Sequence, residues 1–172
     1  MSASWIQTIS RRLESRHRVV VLGVGNDMKG DDAAGLMCAD ELRKNLRGRR
    51  CRPLKIIKAF DVPENFTGSV RAFRPDAVII IDSALSGGKP GSVFIVEKGR
   101  ITEEDITTHR IPLLAMVRYL ETTTGADVTI IGIQPETMDF GAAVSAPVLK
   151  AVARLSSSLA RLLSNQVWES AP

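Results

Sequence analysis

The chain is poor in the features that characterise secreted, membrane-spanning and nucleic-acid-binding proteins. Its two cysteines, Cys38 and Cys51, form no close pair, so we predict no disulfide framework and expect a cytoplasmic location. Apolar runs such as Ala77–Ile81 fall far short of the roughly 20 residues that a membrane-spanning helix needs, so we expect no membrane insertion. Aromatic residues make up only 5% of the chain, and none interleaves with the basic stretches as a platform for stacked bases would require.

The positive charge of the chain is concentrated in two stretches. The formal net charge is +4 at pH 7, and the sequence pI is about 9.4. Because the arginines have no aromatic partners, we expect no nucleic-acid partner and predict a solvated basic face. A surface that attracts an acidic protein partner is the alternative. The denser of the two stretches contains Arg43, Lys44, Arg47, Arg49, Arg50 and Arg52.

Segments with the pattern of strands alternate with segments of helical periodicity. The predicted strands are Arg18–Gly23, Leu54–Phe60, Ala77–Ile81, Ser92–Glu97 and Asp127–Ile133. The predicted helices are Asp31–Asn45, Glu64–Phe73, Pro112–Thr122 and Ser145–Leu163, and a helical extension over residues 1–17 precedes them. This alternation is typical of a three-layer α/β/α domain with a mostly parallel sheet, and we expect a single such domain over residues 1–172.

The connection between the third and fourth predicted strands determines the direction of one strand. A parallel crossover needs a dozen or more residues, usually with a helix, and the segment Asp82–Ser92 is too short for one. The strand Ser92–Glu97 is therefore expected to run antiparallel in a mixed, mostly parallel five-stranded sheet.

The loop after the first strand determines whether a nucleotide is expected. Ligands of open α/β sheets bind beyond the carboxyl ends of the strands, where Gly23–Asp32 follows the first strand. Its Gly-x-Gly start suggests a dinucleotide site, but Met28 stands where the third glycine belongs. Asp27, Asp31 and Asp32 would also repel a pyrophosphate, so we expect no nucleotide cofactor.

Three groups of titratable residues stand near the same sheet edge. Asp31 and Asp32 begin a predicted helix, where a carboxylate caps the helix or favours the positive end of its dipole. Asp82 ends an apolar strand, where a carboxylate needs a partner or a metal, and His109 lies in a loop after the fourth strand. Two carboxylates and one imidazole suit a divalent metal such as nickel, zinc, iron or manganese. The same group could position a water for hydrolysis, with a carboxylate as the base.

A series of short motifs extends from Arg18 to the C-terminal helix. They are Gly23-Val24-Gly25-Asn26, Gly30-Asp31-Asp32-Ala33-Ala34-Gly35, Ile79-Ile80-Ile81-Asp82-Ser83-Ala84, Pro90-Gly91, Thr107-Thr108-His109 with Pro112-Leu113, and Gly132-Ile133-Gln134-Pro135-Glu136. Together these motifs resemble those of the endopeptidases that mature the large subunit of nickel-iron hydrogenases. The resemblance is to the branch with Gly-Asp-Asp and Thr-Thr-His motifs, which includes archaeal members with an N-terminal helical extension. It implies a phosphorylase/hydrolase-like fold with one antiparallel strand.

The resemblance also implies a substrate and a set of site residues. It implies that Asp32, Asp82 and His109 recognise nickel, and that Asp32 and Asp82 serve catalysis, since the family is classed with aspartic endopeptidases. The nickel arrives with the substrate, a hydrogenase large-subunit precursor from which the protease removes a C-terminal peptide. Gly25, Asn26 and Gln134 are expected to contact the substrate. Because the family varies at the first acidic position, Asp31 is expected to cap its helix.

Two other functions are compatible with the same residues. One is a zinc-dependent hydrolase or aminopeptidase that holds its own metal. The other is a nickel-binding assembly factor that docks on the precursor without cutting it. Cleavage of a nickel-loaded precursor distinguishes the protease from the assembly factor, and metal analysis identifies a resident zinc.

Overall fold

The structure, a computed structural model, describes residues 4–97 and 110–164, with no side chains described for 110–112. Within this part of the chain, the strands are β1 (Val19–Val24), β2 (Leu54–Phe60), β3 (Ala77–Ser83), β4 (Val93–Ile95) and β5 (Asp127–Ile133). The helices are α1 (Trp5–Leu13), α2 (Ala34–Leu46), α3 (Thr67–Phe73), α4 (Arg110–Thr124) and α5 (Ala146–Ser164). The predicted strands and helices are therefore present, with ends that differ by a few residues.

The sheet has the strand order β2-β1-β3-β5-β4. The pairs β1–β2, β1–β3 and β3–β5 are parallel, so these four strands end at one edge of the sheet. β4 pairs antiparallel with β5 and places Val93 opposite Ile133. The structure thus confirms the predicted mixed sheet and the reversed direction of the fourth strand.

The strands are buried on both faces, which explains why they read as continuous apolar runs. Alternate side chains of a strand point to opposite faces of the sheet. Val19 and Val21 pack in the cluster that includes α1, α2 and α5, whereas Val20 and Leu22 pack in the cluster that includes α3 and α4. The result is the predicted three-layer architecture. None of the helices within 4–97 and 110–164 has the length and apolar character needed to cross a membrane.

Two helices start later than predicted because 3₁₀ turns precede them. The turn Gly30–Ala33 leads into α2, and the turn Pro63–Phe66 leads into α3. α2 begins directly against the ends of β1 and β3, because Gly35 has no side chain. A Cβ on Gly35 would lie 2.2 Å from the carbonyl oxygens of both Ile81 and Val24.

Arg52 departs from the predicted solvated basic face, because its side chain is only 2% exposed. Its guanidinium donates hydrogen bonds to the carbonyl oxygens of Leu13 (2.9 Å), Arg16 (2.7 Å) and Leu162 (3.2 Å). Burial lowers the pKa of this guanidinium, and the charge of Asp76 acts in the opposite direction. Arg52 thus joins the C-terminal ends of α1 and α5. The neighbouring basic residues Arg43, Lys44, Arg47, Arg49 and Arg50 are exposed, as predicted.

Candidate active site

A cleft of about 310 Å³ opens at the carboxyl ends of β1 and β3. Its position agrees with the general rule for ligand sites in open α/β sheets. The loops after β1, β2, β3 and β5 all contribute to its walls. Among the residues that the structure describes, the charged ones that line it are Lys29, Asp32, Asp61, Glu64 and Asp82, so carboxylates outnumber ammonium groups there by four to one. The cleft therefore favours a cation or a positively charged ligand.

Asp32 lies in the 3₁₀ turn before α2, and its carboxylate is oriented by a neighbouring strand. The Ser83 hydroxyl, at the end of β3, donates a hydrogen bond of 2.8 Å to Asp32 Oδ1. The Asp32 main chain is also held, because its amide donates to the Lys29 carbonyl (2.9 Å) and its carbonyl accepts from the Asn26 amide (3.2 Å). A half-buried carboxylate is thus presented to the cleft by a rigid support.

Asp82 is the penultimate residue of β3 and also lines the cleft. The β3 residues before it, Ala77–Ile81, are all buried, whereas Asp82 is partly exposed. β3 lies in the middle of the sheet, between β1 and β5, and Asp82 pairs with Gly132 of β5 one residue beyond the last pair of β3 with β1. The structure therefore brings Asp32 and Asp82 into one cleft, as the sequence predicted.

Asp31 does not cap its own helix, and that prediction is wrong. No side chain caps the 3₁₀ turn or the start of α2. The Asp31 carboxylate is fully buried and accepts hydrogen bonds from the amides of Glu136 (2.7 Å), Thr137 (3.2 Å) and Ser145 (2.6 Å) and from the Ser145 hydroxyl (2.9 Å). Burial raises the pKa of this carboxyl, but the hydrogen bonds from Ser145, Glu136 and Thr137 outweigh it and hold the pKa below its ordinary value.

Two of the predicted substrate contacts, Gly25 and Asn26, stand at the rim of the cleft. Gly25 lines the cleft with a φ of 136°, and a Cβ there would lie 1.8 Å from the Asp32 carbonyl oxygen. The Asn26 side chain donates to Asp61 Oδ2 (2.8 Å) and accepts from the Met28 amide (2.9 Å). Both residues shape the loop that carries Asp32, and their contact with a substrate stays a prediction.

Gln134, the third predicted substrate contact, is buried at the end of β5. Its Oε1 accepts hydrogen bonds from the Ser86 amide (2.7 Å) and the Ser86 hydroxyl (3.1 Å), and its Nε2 donates to the Pro135 carbonyl (3.2 Å). Gln134 therefore holds the segment that follows β3. Its contact with a substrate also stays a prediction.

His109, the third member of the predicted nickel-recognition group, lies outside the described residues. Among the side chains of 4–97 and 113–164, no group of three or more histidine, cysteine, aspartate or glutamate residues could hold a metal ion. The two cysteines contribute no nucleophile to the cleft. Cys38 is buried as predicted, and burial raises the pKa of its thiol, with a smaller effect from Glu41.

Three polar residues of the site were not predicted as functional from the sequence. Asp61 and Glu64 line the cleft from the segment after β2, and Ser83 orients Asp32. Asp61 directly follows β2, just as Asp82 lies at the end of β3. The general rule that ligands bind beyond the carboxyl ends of the strands therefore applies to both residues. The hydrogen bond between Ser83 and Asp32 joins residues 51 positions apart, and no local pattern predicts it.

The arrangement is suited to hydrolysis of a substrate that carries positive charge. Two carboxylates from adjacent elements face one cleft, where one can accept a proton from a water and the other can bind a cationic group. The Ser83 hydroxyl holds Asp32 as an acceptor and so leaves its second oxygen for the ligand. The site thus has the parts that a carboxylate-dependent peptide hydrolase needs.

Comparison with solved structures identifies the fold class. The chain superimposes on the [NiFe] hydrogenase maturation protease HycI from Thermococcus kodakarensis with a TM-score of 0.82 and 29% identity, covering 91% of this chain and 98% of that one. The crystal structure of the hydrogenase 3 maturation protease gives a TM-score of 0.69 and 31% identity, covering 81% of this chain and 86% of that one. The fold is that of the hydrogenase maturation proteases.

Sequence comparison identifies the family. The family profile described as hydrogenase maturation protease (HycI) matches residues 36–161. The hydrogenase 3 maturation protease of Escherichia coli K12 is 33% identical over 134 residues, which cover 77% of this chain and 83% of that relative. A Methanocaldococcus jannaschii protein, named provisionally as such a protease, is 33% identical over 133 residues, or 75% of this chain and 79% of that relative. The chain belongs to the hydrogenase maturation protease family and is a peptide hydrolase.

Proposed function

We propose that this chain is the endopeptidase that removes a C-terminal peptide from the nickel-loaded large-subunit precursor of a nickel-iron hydrogenase. The observation that carries the proposal is the shared cleft of Asp32 and Asp82, at the carboxyl ends of β1 and β3, in a member of this protease family. The similar proteins of Escherichia coli and Thermococcus kodakarensis are named as maturation proteases of hydrogenases, which supports the same class of activity.

The two carboxylates have complementary roles in this proposal. Asp32, whose Oδ1 is held by the Ser83 hydroxyl, keeps a fixed orientation toward the scissile segment. Asp82 lies on the rigid central strand and faces the same cleft. One carboxylate binds the metal-bearing end of the substrate, and the other accepts the proton of the attacking water. The metal belongs to the substrate, and oxygen ligands of this kind are compatible with nickel.

The charge of the cleft gives a physical reason for dependence on nickel. Asp32, Asp61, Glu64 and Asp82 line the same cleft, and like charges in a shared site repel. A precursor that carries a divalent cation relieves this repulsion, whereas a metal-free precursor does not. The protease would therefore act only on a client that has already received its metal. His109 is proposed to complete the recognition group with Asp32 and Asp82.

The test is cleavage of the host's own large-subunit precursor, prepared with and without nickel and followed by intact-mass measurement. We expect the wild type to shorten only the nickel-loaded precursor. Asp32→Asn and Asp82→Asn should each lower the cleavage rate by about 10²- to 10⁴-fold, because each removes an acid–base or cation-binding group. The matched control is Asp27→Asn, an exposed carboxylate in the loop of Asp32 that does not line the cleft.

Four results would contradict the proposal or favour one of its alternatives. Full activity of both cleft variants would exclude the assigned roles of Asp32 and Asp82. Equal cleavage of metal-free and nickel-loaded precursor would exclude the recognition of nickel. Tight binding without any shortening of the precursor would identify an assembly factor. A stoichiometric zinc in the purified protein would favour a hydrolase that holds its own metal.

A further inference from the structure

We propose that six exposed apolar side chains around the cleft form the docking surface for the metal-bearing segment of the client protein next to its cleavage site. This inference rests on the proposed function and adds where and by what chemistry the substrate is held. We call this surface the apolar collar, and its members are Met28, Phe60, Val62, Leu85, Met138 and Phe140. The occupant is an extended segment with large apolar side chains on a positively charged stretch.

The first observation is where the large exposed apolar side chains lie. Among the described residues, all such side chains except two belong to the collar, and all collar members follow or end strands at one edge of the sheet. The two exceptions, Tyr119 and Leu149, lie on the outer helices α4 and α5. Phe140 is 71% exposed, which is unusual for a side chain of its size in a chain with so few aromatics. Contiguous exposed apolar residues mark interaction surfaces.

The second observation is that the collar members lie in the cleft wall, next to it in sequence, or in loops that are bonded to it. Leu85 and Met138 line the cleft themselves. Phe60 and Val62 stand on either side of Asp61, which also lines it. On the far side, the Gly141 amide donates a hydrogen bond of 2.7 Å to the Met28 carbonyl. This bond joins the loop after β1 to the loop that carries Met138 and Phe140.

The third observation is that the backbone is strained where the collar begins. Phe60 has a φ of 51°, in the left-handed region that a bulky side chain rarely adopts. The pairing of β1 with β2 shifts register between Gly23 and Val24, next to Phe60, and the Gly25 amide donates to the Phe60 carbonyl (3.2 Å). Strain of this kind persists where the surrounding structure imposes it, and it clusters at ligand-binding sites. Phe60 is thus held at the rim in a conformation that a simple turn would not need.

Charge identifies the occupant. Among the described residues, the cleft inside the collar is lined by Asp32, Asp61, Glu64 and Asp82 against a single Lys29, so a bound segment needs positive charge at its centre and apolar groups at its flanks. A metal-bearing segment of the client has that charge. A second copy of this chain does not fit, because a self-complementary contact through the collar would bring two acidic clefts together.

The test is the kinetics of collar variants on the host's nickel-loaded precursor. We expect Phe140→Ser and Met28→Ser each to raise KM by about fivefold or more while kcat changes much less, because they remove contacts made in the ground state and the transition state alike. The matched control is Leu149→Ser, which removes an exposed leucine (43% exposed) from the outer face of α5. Its KM should equal that of the wild type.

The outcomes separate this inference from the proposed function. Cleavage by the wild type with unchanged KM in both collar variants would overturn the docking surface and leave the protease activity intact. If the wild type does not cleave, calorimetric titration with the same precursor still tests the docking surface. Weaker binding by Phe140→Ser than by Leu149→Ser supports it, and equal binding overturns it. Sedimentation tests whether the wild type forms a dimer. If only the collar variants disrupt that dimer and their KM is unchanged, the surface serves self-association and the inference is overturned.

Discussion

Two neighbouring aspartates illustrate how residue roles diverge in this protein. Asp31 is fully buried and accepts four hydrogen bonds from residues 136–145, whereas Asp32 is partly exposed and faces the cleft. The Asp31 amide also donates to the Thr137 carbonyl (2.9 Å). Asp31 therefore ties the loop after β5, with its collar residue Met138, to the turn that carries Asp32. The aspartate buried in a hydrogen-bond network and the aspartate that lines the cleft are thus adjacent in sequence.

We predict that Asp31→Asn destabilises the fold by about 2 kcal/mol or more at neutral pH. An amide has one acceptor oxygen and brings two N–H donors against the donors of Glu136, Thr137 and Ser145, so buried groups lose their partners. The measurement is urea unfolding, with the exposed Asp27→Asn as control. Equal stability of Asp31→Asn and the wild type would show that the network contributes nothing.

The same carboxylate predicts a pH dependence. Because the folded-state pKa of Asp31 is lowered, its contribution to stability is present above the unfolded-state pKa of about 4 and is lost as pH falls toward the folded-state value. The stability gap between the wild type and Asp31→Asn should therefore narrow as the pH is lowered from 5 toward 2. A gap that stays constant over that range would contradict this assignment.

At the scale of elements, the start of α2 decides where the site forms. Gly23 and Gly35 let the helix contact the sheet directly, since a Cβ on Gly23 would lie 2.2 Å from the Gly35 carbonyl oxygen. The turn before α2 then places Asp32 beside Ser83 at the end of β3. A helix seated further from the sheet would separate Asp32 from Asp82.

We predict that Gly35→Ala destabilises the protein by about 1–3 kcal/mol or more, because the new Cβ would meet backbone atoms of β1 and β3 that cannot move aside. Gly68→Ala is the matched control, since Gly68 is likewise the second residue of its helix, α3, and has open space around it. It should be stabilising by up to about 1 kcal/mol. Urea unfolding of both variants checks the pair, and a tolerated Gly35→Ala would disprove the close seating.

At the scale of the whole molecule, Arg52 connects parts of the chain that are distant in sequence. It bonds to carbonyl groups at the end of α1 and of α5, and its own amide donates to the Leu163 carbonyl (3.4 Å). Cations near helix C-termini are favourable because of the helix dipole. Arg52 therefore fixes α1, which packs Ile9 and Leu13 into the core.

We predict that Arg52→Met lowers the free energy of unfolding by about 1–3 kcal/mol, since several carbonyl groups lose a charged donor. Arg50→Met, which changes an exposed arginine two residues away, should be close to neutral. Thermal unfolding measures the effect, and amide hydrogen exchange should show faster exchange in α1 of Arg52→Met alone. An unchanged rate of amide exchange in α1 would contradict the claim that Arg52 fixes this helix.

Much of the fold was determined by the sequence itself, because burial of strands and helix faces leaves local periodic patterns. The apolar patterns of Arg18–Gly23 and Ala77–Ile81 predicted two strands that the structure contains, and the short segment before Ser92 predicted the antiparallel strand. Ligands of open α/β sheets bind beyond the carboxyl ends of the strands, and this rule indicated the region of Asp32 and Asp82, which line the same cleft.

Only the tertiary structure decided what holds Asp31 in place, which arginine is buried, and which further residues surround the site. The bonds of Asp31 to Ser145 span 114 positions, and that of Arg52 to Leu162 spans 110. Such partners come together only when the chain folds and brings separate loops to one sheet edge, or the ends of separate helices into contact. No local sequence pattern predicts these contacts. The collar belongs to the same class, because its members come from several loops and become one surface only after the strands pair.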